Sequence, residues 1–423
     1  MGPDTLGLFN YITAIAGYFT LFASLGFPIY GIREVAQSKD DPVKLQSATN
    51  AIITANTLAC LVVYVVYFIA SLLLAHSEHD FWLYFVLGLS VLLSCISFDW
   101  FYQGVEDFKY ITIRSIAIKL ISIVCLFIFV RTQDDILPYA ILTIAGTCGN
   151  NILNLIRIRK YVKLKISFLD CWKHTKGASV LFLGTIAVSL YTNLNSVMVG
   201  ALGTMAAVAF FTTGNKLVQM LMTVLGAVTS SIIPRMAYLV GKGDEKEAIA
   251  LQKKTLNLLL YVSIPMVFGI IALAHPLILL FGGKEFLPAV PVMQILSTLL
   301  VIITLSGFLG NQILIPMHKE KYGNYCVGGG AITNLTVNFI LIPLFAEIGV
   351  AIAVVIAETV VTAMHFYFAH RYMKLKWMDF VPVKCILASI LMFLVIVATY
   401  SNDILSISIS FLWAIIGMID ICG

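Results

Sequence analysis

The sequence predicts an all-α polytopic membrane protein of about 13 transmembrane helices. They are expected to form two pseudo-symmetric six-helix lobes and a C-terminal helix pair. Three observations carry this: the apolar runs, an alternation of basic and non-basic gaps between them, and an internal repeat.

The chain has 423 residues, of which 60% are hydrophobic and only 12% charged. Its mean hydropathy is +0.95. Apolar runs long enough to cross a ~30 Å hydrocarbon core recur from end to end, which marks a helical multi-pass membrane protein. A β-barrel would instead alternate in segments of roughly ten residues. Candidate spans lie at 9–31, 51–75, 81–99, 111–130, 137–156, 178–200, 205–234, 255–281, 290–315, 325–345, 349–370, 380–400 and 404–422. The intervening gaps are too short for a soluble catalytic domain.

The basic residues test these spans. Gaps taken alternately from the first helix hold 21 Lys and Arg, against 2 in the gaps between them. Basic loops stay cytoplasmic, so the chain is expected to start outside and end inside. The densest basic gap, 157–177, carries Arg157, Arg159, Lys160, Lys163, Lys165, Lys173 and Lys176. It reads as a cytoplasmic linker between an N-terminal lobe (1–156) and a C-terminal lobe (178–372), with the helix pair at 373–423.

The repeat relates MGPDTLGLFNYITAIAGYFTLFASLGFPIYGIREVAQSKDDPVKLQ to VGALGTMAAVAFFTTGNKLVQMLMTVLGAVTSSIIPRMAYLVGKGDEKEAIALQ. Leu25-Gly26 matches Leu225-Gly226, Pro28 matches Pro234, and Arg33 matches Arg235. Six spans separate the copies, so both point the same way across the membrane. Parallel repeats of this kind are a transporter architecture, with a substrate site near the midplane.

The eight Cys fall singly with no CxxC pair, and no His spacing suits a metal. Nothing calls for a cofactor or for nucleic acid. The aromatics Trp82, Trp100, Tyr102, Trp377 and Phe380 fall near span ends and read as an interfacial belt.

Several segments carry a family resemblance: GPDTLGLFNYITAIAGYF with LGFPIYGIREVAQSKDD, FDWFYQGVEDFKYITIRSI, and FFTTGNKLVQ with SSIIPRMAYL. They resemble the bacterial polysaccharide (O-antigen and capsule repeat-unit) flippases of the multidrug/oligosaccharidyl-lipid/polysaccharide exporter superfamily. The resemblance implies a two-lobed inverted-V fold in the plasma membrane and translocation of undecaprenyl-pyrophosphate-linked oligosaccharide. It also implies a plan of 14 helices, so this chain resembles one lacking its first span. A polysaccharide polymerase partner is compatible with that role.

That role gives the intramembrane charges a purpose. Lys216 lies eleven residues into the run that opens at Met205, about halfway across the core at ~1.5 Å per residue. A charge there costs at least ~2.5–3.5 kcal/mol. A diphosphate headgroup would justify it: Lys acts as a point charge and Arg as a bidentate donor. Lys216 is expected to face a cavity between the lobes, with Arg114 across from it. Asn215, and Asn193 or Asn195 on the preceding helix, would supply hydrogen bonds. Arg33 and Arg235 would meet the pyrophosphate at the cytoplasmic edge. Two carboxylates are candidates for coupling to H⁺ or Na⁺: Asp99, read as closing its helix, and Glu358 in mid-helix. The bland alternatives are pairing of Arg114 with Glu106 and of Lys216 with Glu358. A multidrug exporter would want an acidic cavity. A lipid II flippase would share the cationic one. A polymerase or ligase would want a long outside loop, whereas the outside gaps here are as short as HSEHD and GGKEF.

Overall fold

The computed structural model describes residues 1–132, 135–168, 171–317, 319–372 and 383–398. Among these the regular structure is entirely helical. Among the described residues, nine helices are long and apolar enough to cross a membrane. The expected span at 404–422 lies outside the described residues, as do Trp377 and Phe380.

The chain divides into two compact units, Met1–Val197 and Met198–Gly423. Unit 1 contains α1 (Pro3–Ser24), α2 (Phe27–Ser38), α3 (Pro42–Leu74), α4 (Glu78–Leu93), α5 (Asp99–Gly104), α6 (Phe108–Phe129) and α7 (Ile136–Ile158). Helix α8 (Cys171–Leu202) begins in unit 1 and ends in unit 2. Unit 2 continues with α9 (Met205–Lys242), α10 (Glu245–Gly282), α11 (Ala289–Ser297), α12 (Leu299–Leu309), α13 (Glu320–Ala369) and α14 (Val383–Ala398).

Local chemistry sets the boundaries. Asp41 caps α3 by accepting from the Val43 and Lys44 amides, with Pro42 at the first helical position, where its missing N–H costs nothing. Thr204 caps α9 through the Ala207 amide, and Asp244 caps α10 through that of Glu247. Helix α13 runs 50 residues, roughly 75 Å at ~1.5 Å per residue and too long for one crossing. Pro343 and the left-handed Ala346 (φ 46°) break it between the expected spans 325–345 and 349–370.

Four expectations are corrected. The stretch 9–31 is not one helix: Leu25 (φ 42°) and Gly26 (φ 76°) both adopt the left-handed conformation and end α1. Its repeat counterpart Leu225-Gly226 stays inside α9, so the sequence match is not a structural one there. Asp99 does not close a helix but opens α5, after a 3₁₀ turn at Ser94–Ile96. Trp100 and Tyr102 are not interfacial; both are buried, packed with Phe101 under Gly31 and against Tyr110. Trp82 does stand exposed.

Candidate functional site

In unit 1 the polar residues meet at one place. Of the 22 residues of α6, only Arg114 is buried. Its neighbours Ile113, Ile116, Leu120 and Ile121 are all exposed apolar surface. α6 also meets α7 through Ile118 and Ser122, but Arg114 is its one fully buried residue. The guanidinium donates from Nη2 to Asp99 Oδ1 at 2.8 Å and from Nε to Asn150 Oδ1 at 3.1 Å. Nη1 donates to Asn154 Oδ1. Asn154 Nδ2 donates in turn to Asp99 Oδ1 at 2.7 Å, and Tyr102 OH to the Asn154 carbonyl at 2.9 Å. Two guanidiniums approach the ring of Tyr110, Arg114 at 5.1 Å and Arg157 at 4.1 Å from its centroid. Arg157 also pairs with Asp107 at 2.6 Å.

Asp99 links this network to a cavity of about 420 Å³ within unit 1. Hydroxyls dominate its polar wall: Thr13, Thr20, Ser90, Ser94, Thr143 and Thr147. Most of them turn back onto their own helix, as Thr13 onto the Phe9 carbonyl at 2.7 Å and Ser90 onto Leu87 at 2.6 Å. A wall of that kind keeps oxygen lone pairs facing inward without leaving the hydroxyl protons unmatched. Half of the Asp99 carboxylate is committed to Arg114 and Asn154, while its side chain stays 42% exposed. The cavity wall is therefore mixed, with hydroxyl and carboxylate oxygens set into a largely apolar surface.

Unit 2 presents a different arrangement. Lys216 lies on α9 with an exposed side chain, and Asn215 beside it is half-buried. Two residues before Lys216, Gly214 lets α9 approach α11: a Cβ there would lie 3.2 Å from the Met293 amide nitrogen. The close-packed face of α9 thus differs from the face that carries Lys216. Glu358 is half-buried on α13. A second polar cluster joins α9, α10, α12 and α13. Gln312, in the π-turn Gly310–Leu314, donates to the Thr229 carbonyl at 3.1 Å, and Ser306 meets His365 Nδ1 at 2.9 Å.

The remaining expected residues are placed as follows. Arg33 is exposed on α2, 3.7 Å from Glu34 and over the Tyr30 ring. Arg235 is exposed on α9, 2.7 Å from Glu247 and beside the Tyr238 ring. The repeat-matched arginines thus share a local carboxylate and a tyrosine three residues away. Asn195 is buried and Asn193 half-buried, next to Gly17 of α1. Glu106 pairs with Lys39 at 3.0 Å rather than with Arg114. Sequence reasoning missed Asn150 and Asn154. Their signal was present in GNNILN, where asparagines four apart occupy one face of an otherwise apolar span.

Comparison with known proteins gives the same direction. Residues 1–240 match the family described as polysaccharide biosynthesis protein, and residues 181–340 match the MatE family. The chain is 27% identical to a protein of Escherichia coli (strain K12) named "Putative O-antigen transporter", over 88% of this chain and 90% of that one. A protein of the same name from Shigella dysenteriae is 24% identical over 63% of this chain and 67% of its own. Among solved structures the fold is similar to that of the lipid II flippase MurJ in an inward closed conformation. The TM-score is 0.74 at 15% identity, covering 99% of this chain and 96% of that one. With over half its length matched, the chain belongs to the polysaccharide biosynthesis protein family.

Proposed function

We propose that this protein is a flippase that moves undecaprenyl-pyrophosphate-linked oligosaccharide repeat units from the cytoplasmic to the outer leaflet of the plasma membrane, by alternating access, for surface polysaccharide synthesis. The family match and the names of the relatives support a transporter of glycan precursors. The observation that carries the mechanism is Lys216. It lies eleven residues from the start of α9 and has an exposed side chain. A charge at that depth faces water rather than lipid, because hydrocarbon would cost ~2.5–3.5 kcal/mol or more. A wet cation at mid-membrane suits a diphosphate and repels the cationic substrates of a drug exporter.

In this reading Asn215, with Asn193 or Asn195, hydrogen-bonds sugar or phosphate, and Arg33 and Arg235 make first contact with the arriving headgroup. Arg114 acts through Asp99, holding half of its carboxylate while the rest faces the unit 1 cavity. Asp99 and Glu358 are the groups through which an H⁺ or Na⁺ gradient would be coupled to transport.

The test is a deletion strain complemented with wild type or Lys216→Ala, scored for surface polysaccharide and for accumulated undecaprenyl-pyrophosphate-linked units. A normally expressed variant that loses polymer and accumulates the lipid-linked unit supports the mechanism. Export equal to wild type removes Lys216 from it. Normal polymer in the deletion strain itself, with no second flippase present, removes the assignment.

A further inference from the structure

The basic segment after α7 is laid along α3. Asn50 uses both ends of its amide on it: Nδ2 donates to the Lys163 carbonyl at 3.0 Å, and Oδ1 accepts from the Lys165 amide at 3.3 Å. One turn further, Thr54 Oγ1 accepts from the Ser167 amide at 3.1 Å. Held this way, Lys163 and Lys165 are exposed, and so are the apolar side chains of Ile166 and Phe168. Where α8 begins, Trp172 is 80% exposed and is followed by the exposed Lys173 and Lys176. Exposed lysines interspersed with large exposed apolar groups are the pattern of a membrane-interface element.

The same strap ends at the mouth of an apolar groove. The groove has a volume of about 500 Å³ and its walls include Phe22, Leu25, Leu58, Val62, Cys171 and Trp172. Ala55 and Ala59 form part of its α3 wall, on the turns that follow the strap contacts. An apolar cavity does not hold ordered water, so its filler is hydrocarbon. Chain-binding groove and cationic strap are joined through Cys171 and Trp172, which belong to both.

We infer that this groove and strap form a binding site for one anionic phospholipid, its acyl chain in the groove and its phosphate among Lys163, Lys165, Lys173 and Lys176. The occupant is a resident lipid of the bilayer, distinct from the transported molecule. The charge complementarity selects an anionic headgroup, and the aromatic at the mouth sits at headgroup level.

The experiment uses the full chain purified in a zwitterionic detergent, with phosphatidylglycerol or phosphatidylcholine added and retained lipid counted by native mass spectrometry. Wild type is expected to retain phosphatidylglycerol at least about tenfold better, given the contribution of several lysines near the phosphate. Changing the lysines together (Lys163→Gln, Lys165→Gln, Lys173→Gln, Lys176→Gln) should erase that preference. Ala59→Phe, which fills the groove, should lower retention of both lipids. Equal retention of the two lipids by wild type overturns the inference, as does a quadruple variant indistinguishable from wild type. Displacement of bound phosphatidylglycerol by equimolar undecaprenyl pyrophosphate would overturn it in favour of a site for the substrate's own tail.

Discussion

Arg114 Nη2 and Asp99 Oδ1 lie 2.8 Å apart, joining α6 to the start of α5, with the arginine side chain almost wholly buried. Asn150 and Asn154 complete the arginine's hydrogen bonding from α7. An ion pair of this kind adds little net stability over an apolar replacement, but removing one partner leaves a charge stranded.

Asp99→Leu is therefore expected to destabilise the purified protein by about 3–5 kcal/mol, because it strands the buried Arg114 charge, measured as a drop in unfolding midpoint in detergent. Arg114→Leu should cost less, because the Asp99 side chain is 42% exposed, and the double variant should recover much of the Asp99→Leu loss. Additive losses would show that the two residues do not act as a pair. Arg114→Lys should resemble Arg114→Leu, because a lysine cannot reach Asp99, Asn150 and Asn154 at once.

Lys216 is expected to respond to charge rather than shape. One charge-assisted contact is worth ~1.5–3 kcal/mol, about tenfold to a hundredfold in affinity. Lys216→Gln should reduce polymer export by at least about tenfold, Lys216→Arg should retain most of it, and Lys216→Glu should abolish it. Surface polysaccharide per cell, normalised to the protein's membrane level, is the readout. Full export by Lys216→Glu would exclude an electrostatic role.

Gly349 stands where the chain turns between the two halves of α13. A Cβ there would lie 2.2 Å from the Leu341 carbonyl oxygen, backbone against residue, with no flexible side chain to yield. Gly349→Ala should cost about 1–3 kcal/mol or more, seen as a lowered unfolding temperature. Gly226→Ala is the control, since nothing lies within 4 Å of its Cβ position. It should be neutral or slightly stabilising.

A pH effect is expected at the N-terminus of α7. Asp135 accepts from the Arg131 and Thr132 amides at 2.9 and 2.8 Å, and those bonds hold its carboxyl below the ordinary value. A carboxyl with a depressed folded-state pKa stabilises fully above its unfolded value and loses that contribution as pH falls through the folded one. Hydrogen exchange at the Arg131 and Thr132 amides should therefore slow above the carboxylate range, beyond the intrinsic pH trend, and lose protection below it. Asp135→Ala should remove the pH-dependent part. Equal protection in wild type and variant would dismiss the turn as the cause.

Much of the fold was legible in the sequence, because the membrane leaves few solutions. Backbone groups in hydrocarbon bond within helices, spans need about 20 apolar residues, and basic loops alternate. The break at Ala346 falls between two expected spans, as the local pattern requires. The repeat was legible too, but only as a pattern of residues. Leu25-Gly26 turns left-handed while Leu225-Gly226 remains helical, since an apolar pair with glycine is compatible with either backbone.

Tertiary structure decided which polar groups meet. Arg114 could have reached toward Glu106 or solvent, and position along the chain does not discriminate. Packing of α6 on α7 put it against Asn150, Asn154 and Asp99, while Lys39 took Glu106. Trp100 and Tyr102, interfacial by sequence position, became core because α5 folds under α2. Hydropathy measures how much of a segment prefers lipid. Which side chain faces a neighbouring helix depends on contacts between residues distant in the chain, and those are set only when the bundle closes.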